Sequence, residues 1–247
     1  MKRLFDFILA FIGLILSSPI LVPIIFLVWI QDWHSPFYIA PRVGKGEKPF
    51  KMLKLRSMIV NADKSGVDST SSNDKRITSV GKFIRKYKLD ELSQLYNVLI
   101  GDMSLVGPRP NVKRETDLYT AEEKKLLTVR PGVTDFSSII FSDEGDILKD
   151  HIDSDIAYNQ LIRPGKSMLG VFYIENRTFI IDIKLIFLTV TAIISKDIAL
   201  NSLGLILKKL NATDLVINIA SRKQNLYPMP PPGAKNIVTN REGRVDL

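Results

Sequence analysis

The chain has 247 residues, of which 45% are hydrophobic and 24% charged, with a formal net charge of +8. This composition excludes a wholly disordered or collagen-like chain, because it supplies enough apolar surface to offset chain entropy. The absence of cysteine excludes disulfides, thiolate zinc sites and cysteine nucleophiles. The only histidines, His34 and His151, match no metal-binding or catalytic-triad spacing. The excess of lysine and arginine favours polyanionic partners.

Residues 7–30 carry no charge, and a helix of this length spans the hydrocarbon core of a bilayer, which is about 30 Å thick. The segment therefore predicts contact with a membrane. A cleaved signal peptide fits less well, because the apolar region of such peptides is usually about 7–15 residues long. In addition, no Ala-x-Ala-like cleavage site follows the segment.

The middle of this segment contains Ser17, Ser18, Pro19 and Pro23. Proline removes a backbone donor and kinks a helix, so a bend is predicted here. Both flanks of the segment are basic, and basic flanks favour the cytoplasmic face. A bent segment that enters and leaves by one face places both flanks there, whereas a tilted, kinked span places one of them outside. Taken alone, these residues leave both geometries open.

The predicted elements that follow are short. Residues 32–58 suggest strands around a turn at Gly44 and Gly46, and residues 61–75 read as an exposed polar loop. Helices are predicted at residues 79–87, 90–100, 121–129 and 155–162.

The last third of the chain contains a second apolar stretch at residues 179–194. Because Asp182 and Lys184 lie inside it, the stretch predicts an amphipathic helix on the membrane surface or a buried core helix. Residues 227–233 form a polyproline-like run, and residues 234–247 are polar. These two segments predict a tail and not a third domain.

Two adjacent carboxylates, Asp90 and Glu91, lie directly beside a group of basic residues. These residues can be explained without a functional site. Asp90 can cap a helix with Glu91 as an acid in its first turn, and the cations can belong to a solvated surface. The same residue types also suit phosphoryl transfer, which needs oxygen ligands for Mg²⁺, cations for phosphate and a nucleophile. Arg109 lies between two prolines that restrict its backbone. The basic groups are Lys51, Lys54 and Arg56; Lys82, Arg85, Lys86 and Lys88; and Arg109, Lys113 and Arg114.

The central motifs resemble those of the bacterial sugar transferase family, the monotopic phosphoglycosyl transferases. The resemblance covers about residues 1–195 and is most specific at its centre. The motifs are Arg76-Ile-Thr78, Gly81, Phe83-Ile-Arg85-Lys86, Leu89-Asp-Glu-Leu92, Gln94-Leu95, Asn97-Val-Leu99 and Gly101-Asp-Met-Ser-Leu-Val-Gly-Pro-Arg-Pro110.

This resemblance implies the transfer of a sugar 1-phosphate from a UDP-sugar to polyprenyl phosphate, with release of UMP. It implies that Asp90 is the nucleophile, that Asp90 and Glu91 hold Mg²⁺, and that the reaction passes through a covalent phosphosugar intermediate. Pro108 would shape the approach of Arg109. The residues implied in binding diphosphate or polyprenyl phosphate are Lys54, Arg56, Arg85 and Arg109.

The resemblance also bears on the membrane segment, because Ser18-Pro19 matches the Ser-Pro break of a re-entrant helix in this family. The bent geometry is therefore favoured over a span. The chain also departs from the family. Leu55 replaces a usual Phe and Ser93 a usual Pro, while residues 134–139 and 143–146 replace the common T-G-x-x-Q and N-G-R-N region.

The expected fold class is α/β and mainly helical, in a monotopic membrane protein with a re-entrant N-terminal helix and interfacial amphipathic helices. The expected organisation is a membrane helix at residues 1–35, a catalytic domain at 36–195 and a C-terminal extension at 196–247. The expected location is the cytoplasmic face of the bacterial inner membrane.

The expected partners are a UDP-sugar, polyprenyl phosphate and membrane lipid, and a homodimer stays open. Nucleic acid is not expected, because basic and aromatic residues are not interleaved. The competing hypothesis is a non-enzymatic basic membrane protein that binds acidic lipid or recruits partners.

Overall fold

The structure is a computed structural model that describes residues 1–67 and 69–240, so the end of the predicted tail, residues 241–247, lies outside the described residues. Most regular elements are helical, which confirms a mainly helical α/β class. The strands are β1 (Phe37–Val43), β2 (Pro49–Leu55), β3 (Ser104–Val106) and β4 (Gly132–Thr134). The helices are α1 (Lys2–Ile30), α2 (Ser79–Lys86), α3 (Leu89–Leu92), α4 (Leu95–Ile100), α5 (Lys113–Thr116), α6 (Phe136–Ile140), α7 (Glu144–Ile147), α8 (Ser154–Ala157), α9 (Arg163–Asn176), α10 (Phe179–Ile194), α11 (Lys196–Lys209) and α12 (Asp214–Ser221).

The long apolar helix α1 is continuous through Pro19 and Pro23, so the predicted bend does not interrupt it. Proline cannot donate a backbone hydrogen bond, which leaves the carbonyl of Ile15 without its helical donor. The hydroxyl of Ser18 donates to that carbonyl at 2.7 Å. The Ser-Pro pair therefore keeps the helix hydrogen-bonded across the position where a break was expected.

Both ends of α1 are fastened to the body of the protein. At its start, Arg3 donates to the carbonyls of Val98 and Leu99 at the end of α4, both at 2.5 Å. After its end, Asp32 forms an ion pair of 2.5 Å with Arg56, which follows β2. The helix thus lies along the protein instead of standing away from it.

The sequence-predicted strands around Gly44 and Gly46 are confirmed as the antiparallel hairpin β1–β2, in which Ala40 is opposite Met52. The predicted helix at residues 79–87 is confirmed as α2, whereas the one predicted at 90–100 is divided into α3 and α4. Residues 123–128 form a 3₁₀ helix within the range predicted as an α-helix.

The short parallel pair β3–β4 positions the segment that carries Pro108 and Arg109. The backbones of Gly107 and Gly132 approach so closely that a Cβ on Gly132 would lie 2.1 Å from the nitrogen of Gly107. The nitrogen of Gly132 also donates to the carbonyl of Pro108 at 3.0 Å. Only glycine permits this approach, which fixes the chain just before Arg109.

Residues beyond 195 pack on the same core as the preceding helices. Leu203 of α11 and Ile219 of α12 belong to the buried cluster that contains Phe136 of α6 and Leu169 of α9. The predicted tail also contacts the body, because Thr120 Oγ1 donates to the carbonyl of Pro232 at 2.5 Å. The described part of the extension is therefore a layer over the core, and the boundary at 195/196 stays a prediction.

Candidate functional site

The short helix α3 carries the two predicted site carboxylates. It begins after Lys88, whose backbone is left-handed with φ 54°. The hydroxyl of Ser93 donates to the carbonyl of Asp90 at 2.9 Å and to that of Leu53 at 3.1 Å. This serine, which replaces the proline usual in the family, therefore fastens α3 against β2, the strand that carries Lys54.

Glu91 is bound by Arg109, whose Nη1 lies 2.9 Å from Glu91 Oε1. Burial alone would raise the pKa of Glu91, but the charges of Arg109, Lys88 and Lys54 outweigh it and lower the pKa to about 2. The charge of Glu91 in turn raises the pKa of Arg109. Both partners are therefore fully charged at neutral pH, and the pair holds the guanidinium in place.

The neighbouring carboxylate of Asp90 has no hydrogen-bond or ion-pair partner among the described residues. Its charge nevertheless acts on Lys54, Arg85 and Arg109. Asp90 is therefore surrounded by cations without being bound to any one of them. Such a carboxylate is free to approach a ligand that the cations hold.

Lys54 and Arg85 complete the cation cluster, which we define as Lys54, Arg85, Lys88 and Arg109. Burial and the nearby charge of Arg109 lower the pKa of Lys54 to about 8. Burial also lowers the pKa of Arg85, whose Nε donates to Ser57 Oγ at 3.0 Å. Cations crowded in this way are stabilised by an anion that lies between them. The structure thus brings four predicted residues together, namely Lys54, Arg85, Asp90 and Arg109, with Glu91 paired to the last.

The side chain of Arg56 is paired with Asp32 and not with a residue of the cation cluster. Its side chain is 8% exposed, two of its nitrogens contact the Asp32 carboxylate at 2.5 and 2.6 Å, and Nε donates to the carbonyl of Ser35 at 2.8 Å. The side-chain hydrogen bond from Arg56 lowers the pKa of Asp32 to about 2. This placement departs from the prediction that Arg56 binds phosphate, because its donors are already used to join the end of α1 to β2.

The described residues contain no group of three or more His, Asp or Glu side chains that could hold a metal ion. Mg²⁺ is commonly bound by one or two carboxylates together with waters and substrate phosphates. The unpartnered Asp90 and the ionised Glu91 fit that mode of binding. A full cage made of protein ligands is therefore not needed for the predicted ion.

Sequence reasoning missed a second acidic element next to the cation cluster. Glu144, at the start of α7, forms an ion pair with Lys166 of α9. Its charge also acts on Arg85 and Arg109. The only signal in the sequence was the Asp143-Glu-Gly-Asp146 string, which stands where the family's usual motif is absent.

A free carboxylate among fixed cations, beside a long apolar helix, defines the class of protein. It is a protein whose site suits phosphate-bearing substrates and whose first helix is long and apolar enough to cross a membrane. Comparison with known families agrees. The model described as bacterial sugar transferase matches residues 1–196, and the chain belongs to that family.

Similar proteins are named for related activities. A Bacillus subtilis (strain 168) protein, provisionally named as an undecaprenyl-phosphate N-acetylgalactosaminyl 1-phosphate transferase, is 46% identical over 54% of this chain and 70% of its own length. The UDP-N-acetylgalactosamine-undecaprenyl-phosphate N-acetylgalactosaminephosphotransferase of Aeromonas hydrophila is 31% identical over 78% of this chain and 44% of its own. The exopolysaccharide production protein ExoY of Sinorhizobium fredii (strain NBRC 101917 / NGR234) is 32% identical over 78% of this chain and 84% of its own. The chain thus matches most of two of these relatives and less than half of the third.

Proposed function

We propose that this chain is a phosphoglycosyl transferase that transfers a sugar 1-phosphate from a UDP-sugar to undecaprenyl phosphate and so initiates polysaccharide synthesis. Family membership and the names of several relatives support this reaction. The observation in this chain that supports the proposal is the Asp90 carboxylate, which has no partner among the described residues and whose charge interacts with those of Lys54, Arg85 and Arg109.

The reaction proceeds in two displacements at one phosphorus atom. In the first, a carboxylate oxygen of Asp90 attacks the phosphorus bonded to the sugar, and the bond from that phosphorus to the UMP oxygen breaks. UMP leaves, and the phosphosugar is bonded to Asp90. In the second, a phosphate oxygen of undecaprenyl phosphate attacks the same phosphorus, which releases Asp90 and yields undecaprenyl diphosphosugar. One carboxylate thus serves both substrates in turn.

The cations stabilise the charge that spreads over the phosphoryl oxygens in each displacement. Arg109 is suited to this task because Glu91 and the flanking prolines hold its guanidinium in one orientation. Lys54 and Arg85 bind the remaining phosphate oxygens of the donor or acceptor. Both substrates are anions, so the same cluster serves both half-reactions.

Mg²⁺ is the cofactor of this proposal, and it would be held by Asp90 and Glu91 together with substrate phosphate oxygens. When bound, it neutralises part of the diphosphate charge. Glu91 contributes by staying ionised, since Arg109 keeps its pKa low. The Glu91 carboxylate would then serve both the guanidinium of Arg109 and the ion.

The membrane arrangement we propose is monotopic, with α1 as a re-entrant helix on the cytoplasmic side. The 29 residues of α1 correspond to about 43 Å of helix. Both ends contact one protein body, through Arg3 at the start and Asp32 after the end. A helix that crossed the bilayer would place one end on the face opposite to that body, so the two contacts support a position of both ends on one face.

Interfacial helices complete the membrane surface. Helix α10 exposes Phe187 and Ile194, which are 70% and 84% exposed, and α11 exposes Leu205 at 70%. The rings of Phe5 and Phe179 lie 4.8 Å apart and join α1 to α10. An apolar surface of this kind fits a lipid bilayer and provides access to a lipid-linked acceptor.

The direct test is UMP release by purified protein with Mg²⁺, undecaprenyl phosphate and a panel of UDP-sugars. We expect release with at least one donor and its loss in the Asp90→Asn variant. Asp117→Asn, an exposed carboxylate paired only with Lys113 in the described structure, is the matched control and should keep full activity. Release that persists in Asp90→Asn would remove Asp90 as nucleophile. If the folded protein releases no UMP with any donor, the result would instead favour the hypothesis of a non-enzymatic basic membrane protein.

A further inference from the structure

Glu144 forms an ion pair with Lys166, which lines one cleft together with Arg109 of the cation cluster. Its side chain is 32% exposed and that of its partner Lys166 is 15% exposed. Burial would raise the pKa of Glu144, but the charges of Lys166 and Arg109 lower it overall. Asp90 and Glu144 are the two carboxylates whose charges act on both Arg85 and Arg109. The mechanism above uses only the first of them.

The backbone around Glu144 is held by the C-terminal extension. Arg222 donates from Nη1 and Nη2 to the two carboxylate oxygens of Asp143, at 3.3 and 3.2 Å. The Nζ of Lys196 lies 2.7 Å from Oδ2 of Asp143. The guanidinium of Arg222 also lies over the ring of Phe141, 5.6 Å from its centroid. Arg222 thus fixes the residue next to Glu144, although it lies beyond the part of the chain that matches the family.

A second contact holds the other side of this turn. The nitrogen of Ser72, in the polar loop that precedes α2, donates to the carbonyl of Gly145 at 2.9 Å. Asp143 and Gly145 are therefore both restrained by segments that are distant in sequence. The backbone of Glu144 lies between these two restrained residues and is therefore held in place. A side chain that starts from a fixed backbone can recognise a ligand selectively.

The chemistry of a fixed carboxylate limits what it can bind. A carboxylate accepts hydrogen bonds and repels phosphate oxygens. The isoprenoid part of undecaprenyl phosphate has no hydrogen-bond donor, whereas a UDP-sugar carries hydroxyl groups on its sugar and ribose and an N–H on its uracil. The partner of Glu144 is therefore expected on the donor and not on the acceptor.

We propose that Glu144 binds a hydroxyl group of the donor's sugar, and that Arg222 is the residue that positions it, so that the C-terminal extension contributes to donor selection. This inference rests on the proposed function. It assigns a task to the extension and to the segment that replaces the family's usual motif.

The test measures UDP-sugar binding in the Asp90→Asn background, where no turnover consumes the ligand. Adding Glu144→Gln keeps the shape of the side chain and removes its charge. We expect the Kd of the accepted UDP-sugar to rise about tenfold or more, as for loss of one hydrogen bond to a charged group. Asp146→Asn, an exposed carboxylate of the same helical turn, is the matched control and should leave the Kd unchanged. An unchanged Kd in Glu144→Gln would overturn the inference.

UMP binding in the same variants distinguishes the two hydroxyl-bearing parts of the donor. If Glu144 contacts the sugar, the Kd of UMP stays unchanged while that of the UDP-sugar rises. A parallel rise in both Kd values would place the contact on the uridine part, ribose or uracil, and overturn the assignment to the sugar. Turnover by the otherwise wild-type chain is measured separately, so failure of the proposed function would not be confused with failure of this inference.

The positioning role of Arg222 predicts a non-additive effect. Arg222→Ala alone should raise the Kd of the UDP-sugar in the same direction as Glu144→Gln, and Arg222→Lys should restore part of the affinity. In the Glu144→Gln background, Arg222→Ala should add little, because both changes act through one contact. Thermal unfolding confirms that each variant is folded. Fully additive effects on Kd would contradict the positioning role.

Discussion

Arg109 lies 2.9 Å from Glu91, while the adjacent Asp90 has no ion-pair partner in the described part of the chain. Two neighbouring carboxylates on one helical turn therefore have different environments. One orients a guanidinium, and the other keeps its oxygens available for bond formation. This division of roles is the structural basis for assigning Asp90 as the nucleophile.

Loss of Arg109 should reduce the reaction in both half-steps. Arg109→Ala removes a fixed cation from the site of phosphoryl transfer, and we expect kcat/KM to fall by about 100-fold or more for either substrate. Arg109→Lys should recover only part of this loss, because an ammonium cannot reproduce the planar guanidinium. Steady-state UMP release measures the effect. Unchanged kinetics in Arg109→Ala would reduce this residue to a structural role.

The lowered pKa of Lys54 predicts a pH dependence. Its ordinary pKa of 10.5 is lowered to about 8, so Lys54 loses its charge as the pH rises through about 8. We expect the KM for the UDP-sugar to rise above that pH in the wild type. Lys54→Arg, which stays charged, should remove this rise. A KM that increases with pH equally in both proteins would assign the titration to another group.

Raising the pH should weaken substrate binding through Lys54, but it should increase the contribution of Lys54 to folding stability. Between about pH 8 and 10.5 the unfolded chain binds more protons at Lys54 than the folded chain does. The contribution of Lys54 to the free energy of unfolding therefore increases with pH in that window. Reduced affinity above pH 8 would thus not arise from unfolding caused by Lys54, and thermal unfolding across the same window checks this point.

The contacts of Arg56 predict a structural effect of its loss. Asp32→Ala leaves a buried guanidinium without its carboxylate, which we expect to destabilise the fold by about 1–2 kcal/mol, because Asp32 is partly exposed and Arg56 keeps its hydrogen bond to Ser35. Chemical unfolding in detergent measures this change. In contrast, the Kd of UMP should be unaffected in Arg56→Leu protein that remains folded. A large loss of UMP affinity there would return Arg56 to the phosphate site.

The proposed monotopic arrangement can be tested with single cysteines, because the native chain has none. One variant carries Leu4→Cys near the start of α1, and the other carries Gln31→Cys just after its end. Both positions should resist a membrane-impermeant maleimide added to intact cells and should react after permeabilisation. Labelling of only one of the two positions from outside would show a spanning helix.

The candidate residues could be named from the sequence because they lie in short motifs, although their roles come from the family resemblance and stay proposals. Asp90 and Glu91 are adjacent, and Arg109 is held between prolines. The sequence also predicted the β1–β2 hairpin from its turn residues and a helix at residues 79–87, which is α2. These features depend on local chemistry, which a single sequence contains.

Contacts between distant segments were not predictable in the same way. Arg56 reads as one more cation beside Lys54, but pairing with Asp32 removes it from the cation cluster. The continuity of α1 was missed because the Ser18 hydroxyl compensates for the donor that Pro19 lacks. Glu144 and Arg222 were missed because their partners, Lys166 and Asp143, are distant in sequence.

The most direct measurement of the central claim is the mass of the protein after incubation with an accepted UDP-sugar and Mg²⁺ in the absence of undecaprenyl phosphate. We predict an adduct of one sugar phosphate on the peptide that contains Asp90, together with one equivalent of UMP. Addition of undecaprenyl phosphate should remove the adduct, and Asp90→Asn should never form it. An adduct that persists in Asp90→Asn, or turnover by a wild-type enzyme that never forms one, would contradict the proposed mechanism.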